Sequence, residues 1–459
     1  MKKSGRITAN GEHILTVVTC GLFAVLFCLS AALIFTFSHD SEDYANYFDI
    51  DMIKSDDAER ADITEVFVPA FIGLTADGKR EGISSPVNIV SDIFRTLSPT
   101  LAYILGRNAT TEASEDEWNA LASLSDSVYL RLHNELPEKT VRYFASQYAD
   151  SEGVGSDNRS YVYEIFMLPY SVDGDIATVY TRSLDGDVLR YTVYEPETFI
   201  TASEIETYAG SYSSFLSLFS FPKGDYSSLS YTEPLFTESV STVNLTVTVG
   251  TAYRAYATEN GVAGVLEAFG MNTDKVLFSY TEDDGNDGYI DSGGVFYIRD
   301  SAFEYRGTAG GGIKMSDFIG YTEGKYTSVD YIAAAVSLWY RLRAIDRSYT
   351  GADADVYLSS VTALDGTYTV ELSYCVENTP FFGTDPALVA VYSDGVMKEA
   401  RVNTLDVRVR TDSSRLSPEE GFALHLDGKG LHAYNVCLKY CADRREDGVR
   451  AEWIAECAE

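Results

Sequence analysis

VDYIAAAVSLWYRLR, residues 329–343, is the stretch on which the fold turns. Ile332, Val336, Leu338, Trp339 and Leu342 recur at helical spacing, so the helix carries an apolar stripe that must be covered. The chain then switches to runs that alternate or are rich in β-branched and aromatic residues: VYLSSV at 356–361, YTVELSYC at 368–375, LVAVY at 388–392 and TLDVRV at 404–409. Such strands present one apolar face, for example Val370, Leu372 and Tyr374, and that face can take the helix. The same order returns downstream. Ser417-Pro418-Glu419-Glu420 reads as a capping box with Pro at the first helical position, opening a helix through Phe422, Ala423 and Leu426. Strands follow at Leu431–Tyr440 and Val449–Cys457, with Arg444–Gly448 as the turn between them. A helix followed by antiparallel strands, twice, predicts an α+β fold with helices packed on one face of antiparallel sheets. Residues 327–459 are therefore expected to form a C-terminal α+β domain with a two-unit repeat, with Trp339 and Trp453 in its core.

The rest of the chain continues the α+β pattern. Residues 233–326 read as a central β-rich domain, with strands at Val243–Val249 and around Val276–Tyr280 and Val295–Ile298, and a helix at Val262–Phe269. Residues 63–210 read as an N-terminal α+β domain. ITEVFVPAFIGL, 63–74, is expected to be a strand ended by Asp77-Gly78. Pro86–Arg107 is helical with an interruption at Pro99. Ser114 and Glu117 form a capping box for a short helix through Trp118 and Leu121. Val128–Leu132 is a strand, and Pro137 begins another helix. Strands at Tyr161–Leu168, Ala177–Arg182 and Val188–Tyr194 are bounded by Asp173-Gly174 and Asp185-Gly186. The Ser/Tyr-rich stretch 208–232 reads as a link between modules.

The N-terminus carries a membrane signal. Ile14–Phe37 holds no charged residue, and its 24 residues would span about 36 Å as a helix, against a hydrocarbon core of about 30 Å. Lys2, Lys3 and Arg6 precede it, whereas Asp40, Glu42 and Asp43 follow it, which places residues 1–13 in the cytoplasm and the bulk outside. The apolar run exceeds a signal-peptide core and ends without a small-x-small cleavage site, so it is expected to be an uncleaved single-pass anchor. Residues 38–62 form an acidic stalk. Ala24, Cys28 and Ala32 recur every four residues and give one helix face that suits close helix–helix packing in lipid, though a plain anchor accounts for them equally well.

Charge and motif content narrow the chemistry. The chain has a formal charge of −34, which disfavours nucleic acid and anionic headgroups as partners. No Gly-x-Ser-x-Gly elbow occurs. GTAGGGIK, 307–314, departs from a phosphate loop at Ile313 and Met315 and is read as a hairpin loop. DDGNDG, 283–288, lacks the ligand spacing of a calcium loop and is read as a turn between strands. His133, His425 and His432 make no metal pattern, and Cys437-x3-Cys441 lacks zinc spacing. The four cysteines beyond the anchor, Cys375, Cys437, Cys441 and Cys457, permit three disulfide connectivities or none. Asn108, Asn158 and Asn244 head glycosylation sequons. No enzymatic activity, cofactor or metal is expected.

Three stretches are similar to a known family. WNALASLSDSVYLRLHNELPEKTVRYF at 118–144 has a helix-strand-helix pattern, 269–313 holds a strand pair ending near Phe303-Glu304-Tyr305-Arg306-Gly307, and 436–456 closes on VCLKY, a turn and AEWIAE. In these the chain resembles the YycH/YycI-type regulatory proteins of Gram-positive bacteria, and its C-terminal units look similar to PepSY-like modules. The resemblance implies a cytoplasmic tail, one membrane helix and an extracytoplasmic α+β region that modulates a sensor histidine kinase of cell-wall metabolism. It also implies a second single-pass regulator as a further partner. The alternative is an anchored envelope protein that binds wall polymer or peptide without a kinase role.

Overall fold

The computed structural model describes residues 63–459 except 108–109, 149–159, 172–174, 222–233, 251, 253–254, 256–260, 272, 283–286, 321–325, 430, 442–448 and 459. The expected cytoplasmic tail 1–13, the expected membrane run 14–37 with Ala24, Cys28 and Ala32, and the expected stalk 38–62 lie outside these residues. Among the described residues no helix is long and apolar enough to cross a membrane.

Residues 63–236 build the first sheet. A 3-10 turn at Ile63–Val66 precedes β1 (Phe71–Ala76), β2 (Lys79–Ile83), α1 (Val87–Leu105) and β3 (Thr110–Ala113). Then come α2 (Glu115–Leu121), β4 (Ser127–Pro137), α3 (Glu138–Ser146), β5 (Tyr161–Ser171), β6 (Ile176–Arg182) and β7 (Val188–Tyr194). The segment closes with α4 (Ala202–Ser211), β8 (Ser217–Ser220) and β9 (Leu235–Phe236). The strands form a nine-stranded sheet in the order β3-β7-β6-β5-β4-β1-β2-β8-β9. Every pairing in it is antiparallel.

The remainder builds the second sheet. Its elements are β10 (Ser241–Val249), α5 (Gly261–Ala268), β11 (Phe278–Thr281), β12 (Asp287–Ile290), β13 (Gly294–Ile298), β14 (Ala302–Gly307), β15 (Ile313–Lys314), α6 (Ser316–Ile319) and α7 (Ser328–Ile345). They continue with β16 (Asp355–Leu364), β17 (Thr367–Val376), β18 (Thr379–Phe382), β19 (Leu388–Ser393), β20 (Val396–Asn403), β21 (Leu405–Arg415), α8 (Glu419–Asp427), β22 (His432–Cys441) and β23 (Ala451–Ala458). Twelve of these strands share one sheet, ordered β11-β12-β13-β14-β20-β19-β17-β18-β22-β23, with β15 added to β20 and β16 to β17. β10 and β21 pair as a separate ribbon. Strands from 278–314 and, β21 apart, from 355–458 thus lie in a single sheet. The fold is α+β with almost wholly antiparallel pairing; among the described strands the one parallel ladder joins β18 to β22.

Local sequence explains most of these elements. The Ser114–Glu117 capping box forms as expected, and two more, Thr201–Glu204 and Thr327–Asp330, open α4 and α7. α7 lies on β17 and β19, where Tyr331 meets Tyr368 and Tyr392 and Trp339 meets Tyr374 edge-on. Both Trp339 and Trp453 are buried, and β22 pairs antiparallel with β23.

Several expectations are corrected. Residues 63–74 are not one strand, because the first half coils into a 3-10 turn and pairing starts at Phe71. Pro99 does not interrupt α1. The carbonyl it leaves without a helical donor belongs to Arg95, an exposed residue, so water can satisfy it. Ser417 makes no cap. Pro418 occupies the N-cap of α8 and the helix opens without a side-chain cap bond, while Glu419 in its first turn is buried in the core. The start of the 208–232 stretch is ordered as the end of α4 and β8. Residues 307–314 are no hairpin: β14 and β15 both run antiparallel to β20, so 308–312 is an excursion within one strand line, held by Lys398 Nζ donating to Gly311 O at 2.7 Å. Strands β2, β3, β8, β9, β14, β15, β18 and β20 escaped the periodicity reading.

Candidate interaction surface

α7 covers one face of the second sheet, and strand register dictates what the other face carries at its β13-β14-β20 end, where it is open to solvent. Glu304 of β14 sits opposite Tyr297 of β13 on one side and Arg401 of β20 on the other. Arg306 sits opposite Val295 and Glu399. The intervening residues, Phe296, Ile298, Phe303 and Tyr305, point to the buried side. The outer positions form a connected row. Arg299 Nε (3.5 Å) and Arg306 Nη2 (3.4 Å) approach Glu304 Oε2, and Arg401 Nη1 lies 2.6 Å from Oε1. Arg299 also donates to Glu282 Oε2 at 2.7 Å. Glu304 is buried, whereas the side chains of Arg306 and Arg401 are 62% and 48% exposed, so the carboxylate anchors guanidiniums that still face solvent.

Aromatic rings extend the row to the sheet edge. Arg299 and Arg306 lie 4.5 and 6.0 Å from the Tyr297 ring centre, each worth about 0.5–1 kcal/mol at such half-exposed sites. Tyr280 of β11 crosses β12 and donates to the Tyr297 hydroxyl at 3.3 Å. Gly288 makes this crossing possible: a Cβ there would stand 2.6 Å from the Tyr280 ring. Hydrogen bonding to Tyr297, then burial, pushes the Tyr280 hydroxyl up to about 12. Phe278 stacks beside Tyr280 at 6.0 Å and is 60% exposed, and Leu277 is 73% exposed. β11 has no strand on its outer side among the described residues. Unpaired backbone groups beside exposed apolar side chains are what a natural edge strand ordinarily avoids.

The two sheets meet at a second polar cluster, and its role is structural. The β17–β18 turn carries Glu377 and Asn378 at φ 49° and 66° and inserts Asn378 against the first sheet. Asn378 Nδ2 donates to Pro69 O at 2.8 Å and Ser84 O at 2.9 Å. Its Oδ1 therefore accepts from His133 Nε2, 2.9 Å away, which fixes that tautomer. The His133 ring packs 4.3 Å from Tyr357, and burial pushes its pKa down to about 4. Nearby, Glu419 is 2% exposed; its Oε2 accepts from Phe236 N at 3.1 Å while its Oε1 finds no hydrogen bond. Burial pushes this carboxyl up to about 7, and the field of Arg131 from β4 opposes the rise.

The other candidate residues are not brought together. His425 is exposed on α8, and nothing is described of the His432 side chain. Cys375 is a buried free thiol, and the Cys457 side chain lies outside the description. Asn108 and Asn158 lie outside the described residues, as do 283–286, although β11 and β12 do pair across that turn. Asn244 is buried and its Nδ2 donates to Asp412, so this folded position cannot accept a glycan. Among the described residues no group of three or more His, Cys, Asp or Glu side chains is placed to hold a metal ion. The open face escaped sequence reading because Tyr297-x-Arg299 and Glu304-x-Arg306 look like ordinary wet positions until register aligns them. No protein family matches this chain, and no curated protein matches it.

Proposed function

We propose that the chain is a non-enzymatic, membrane-anchored extracytoplasmic regulatory protein that acts by binding a partner. The observation that carries the reading is the open end of the second sheet, where Leu277 and Phe278 are exposed at the entry to an edge strand beside the row of Tyr280, Tyr297, Arg299 and Arg306. Such a surface suits recognition, since backbone donors and acceptors supply affinity and the flanking side chains supply specificity. The uncharged run at 14–37 supplies the anchor, with the acidic ectodomain outside. The resemblance of 118–144, 269–313 and 436–456 to YycH/YycI-type proteins points to a sensor histidine kinase as the regulated partner. Contact in the membrane would use the Ala24, Cys28 and Ala32 face.

The test is in-cell crosslinking of the full chain to a neighbouring membrane kinase, with kinase output measured after deletion of the gene. Crosslinking together with altered output is expected. Unchanged output with no kinase adduct overturns the regulatory reading; retention of the protein on purified cell wall would then favour the polymer-binding alternative. Mass spectrometry of the mature protein is expected to find residues 1–37 retained, and a mature N-terminus near Ser38 overturns the anchor.

A further inference from the structure

We infer that β11 receives an extended cationic peptide segment of another protein, which adds as a strand to the free edge of the second sheet. The inference deepens the partner-binding reading by naming the edge and the chemistry of the occupant. Among the described residues β11 ends its sheet, and Leu277 just before it and Phe278 at its start are 73% and 60% exposed. Ser279 and Thr281 are exposed as well, so both faces of the strand are open. An added strand would place alternate side chains beside Phe278 and Tyr280, whose rings already stack and present a flat apolar platform. Apolar residues at every second position of the incoming segment fit that platform.

Charge selects among possible strands. Among the described residues flanking β11, Asp274, Glu282 and Asp287 stand against Lys275 alone, a net of −2, on a chain of −34 overall. A second copy of this chain would bring the same negative edge and the same −34 overall, so edge-to-edge self-pairing is opposed by like charge. A segment with Lys or Arg between its apolar residues meets complementary charge instead. The outer guanidiniums do not contradict this, because Arg299 is tied to Glu282 and Glu304 and lies inward of β11 in the sheet.

The probe is a short fluorescent peptide of alternating valine and lysine, titrated against the full chain in detergent. A peptide of equal charge with proline replacing alternate valines, and one of alternating valine and glutamate, serve as comparisons. The alternating cationic peptide is expected to bind, the proline peptide about tenfold more weakly, and the acidic peptide more weakly still. The double variant Leu277→Lys, Phe278→Lys should lose about tenfold in affinity, while Leu364→Lys on a distant exposed hairpin tip changes nothing. Amides of 277–281 should gain protection from hydrogen exchange on binding. Equal binding of the proline peptide reduces the effect to unspecific charge and overturns the inference. So does unchanged binding by the double variant, absence of new protection, or a chain dimer that the double variant dissolves. Should the double variant lose the peptide but keep its kinase adduct, the edge is a separate site and only the link to regulation falls. Should the wild type bind peptide yet show no kinase adduct, the regulatory reading fails on its own.

Discussion

Replacing Glu419 by glutamine should stabilise the protein at alkaline pH and leave it almost unchanged at acid pH. Glu419 is 2% exposed, accepts one backbone hydrogen bond from Phe236 N and leaves Oε1 without a partner. Burial raises its pKa from 4.5 to about 7, partly offset by Arg131. A carboxyl whose folded pKa is raised favours folding while protonated. That contribution is complete below about 4.5 and is lost as pH rises through about 7. At about 1.4 kcal/mol per pH unit over that interval, the ionised side chain costs about 3 kcal/mol. Glutamine keeps the acceptor for Phe236 N and cannot ionise. His133 works in the opposite direction. Its pKa falls from 6.5 to about 4, so its contribution is complete above 6.5 and lost as pH falls toward 4. The wild type should therefore show a nearly flat stability profile between about pH 4.5 and 6.5, where the two slopes cancel. The variant should show the rising His133 slope alone. Urea unfolding of both proteins at pH 5 and pH 8 measures this. An offset that is equal at both pH values, or a variant less stable at pH 8, refutes the assignment of Glu419 as a buried neutral acid.

Three further perturbations test the frame. Asn378→Ala removes three hydrogen bonds joining the sheets and strains a position at φ 66°, so it should cost about 2–4 kcal/mol in denaturant unfolding; Asn378→Gly should recover about 1 kcal/mol of that, and equal losses would exclude backbone strain. Trp453→Ala opens a gap between β23 and Phe236 and frees Ser417 O, and should destabilise by about 3–5 kcal/mol; a loss below about 1 kcal/mol would mean that the last hairpin is not part of the core. Glu304→Gln should lower stability by about 1–3 kcal/mol, because three arginines then lack their common carboxylate, and added salt should shrink the loss; a salt-independent change would refute the electrostatic account.

Sequence periodicity placed α7 and the strands around it because a helix stripe and alternating strands are local patterns that burial enforces. It also found the capping box at Ser114, where two side chains three residues apart satisfy one another. It failed where tertiary contacts overrode local chemistry. Ser417 matches a capping motif, yet Glu419 goes inward to bond Phe236 N, 183 residues away. Pro99 reads as a breaker, yet packing of Val90, Ile93, Phe94 and Leu97 before it and Leu101 and Leu105 after it holds one helix. Gly307–Lys314 reads as a hairpin, yet both flanks pair with β20, a strand almost ninety residues on.

The chain's own composition and order therefore determined its class, α+β with antiparallel strands, its acidic charge and the uncharged run at 14–37, because each is a property of local pattern or of a sum over residues. Only the tertiary structure decided which strands neighbour which. That is why the row Tyr280, Tyr297, Arg299, Glu304 and Arg401 was invisible beforehand. These five residues come from β11, β13 and the turn just after it, β14 and, beyond a long excursion through α7, from β20. A side-chain period of two says which face a residue takes within its strand, but only long-range register says what stands beside it.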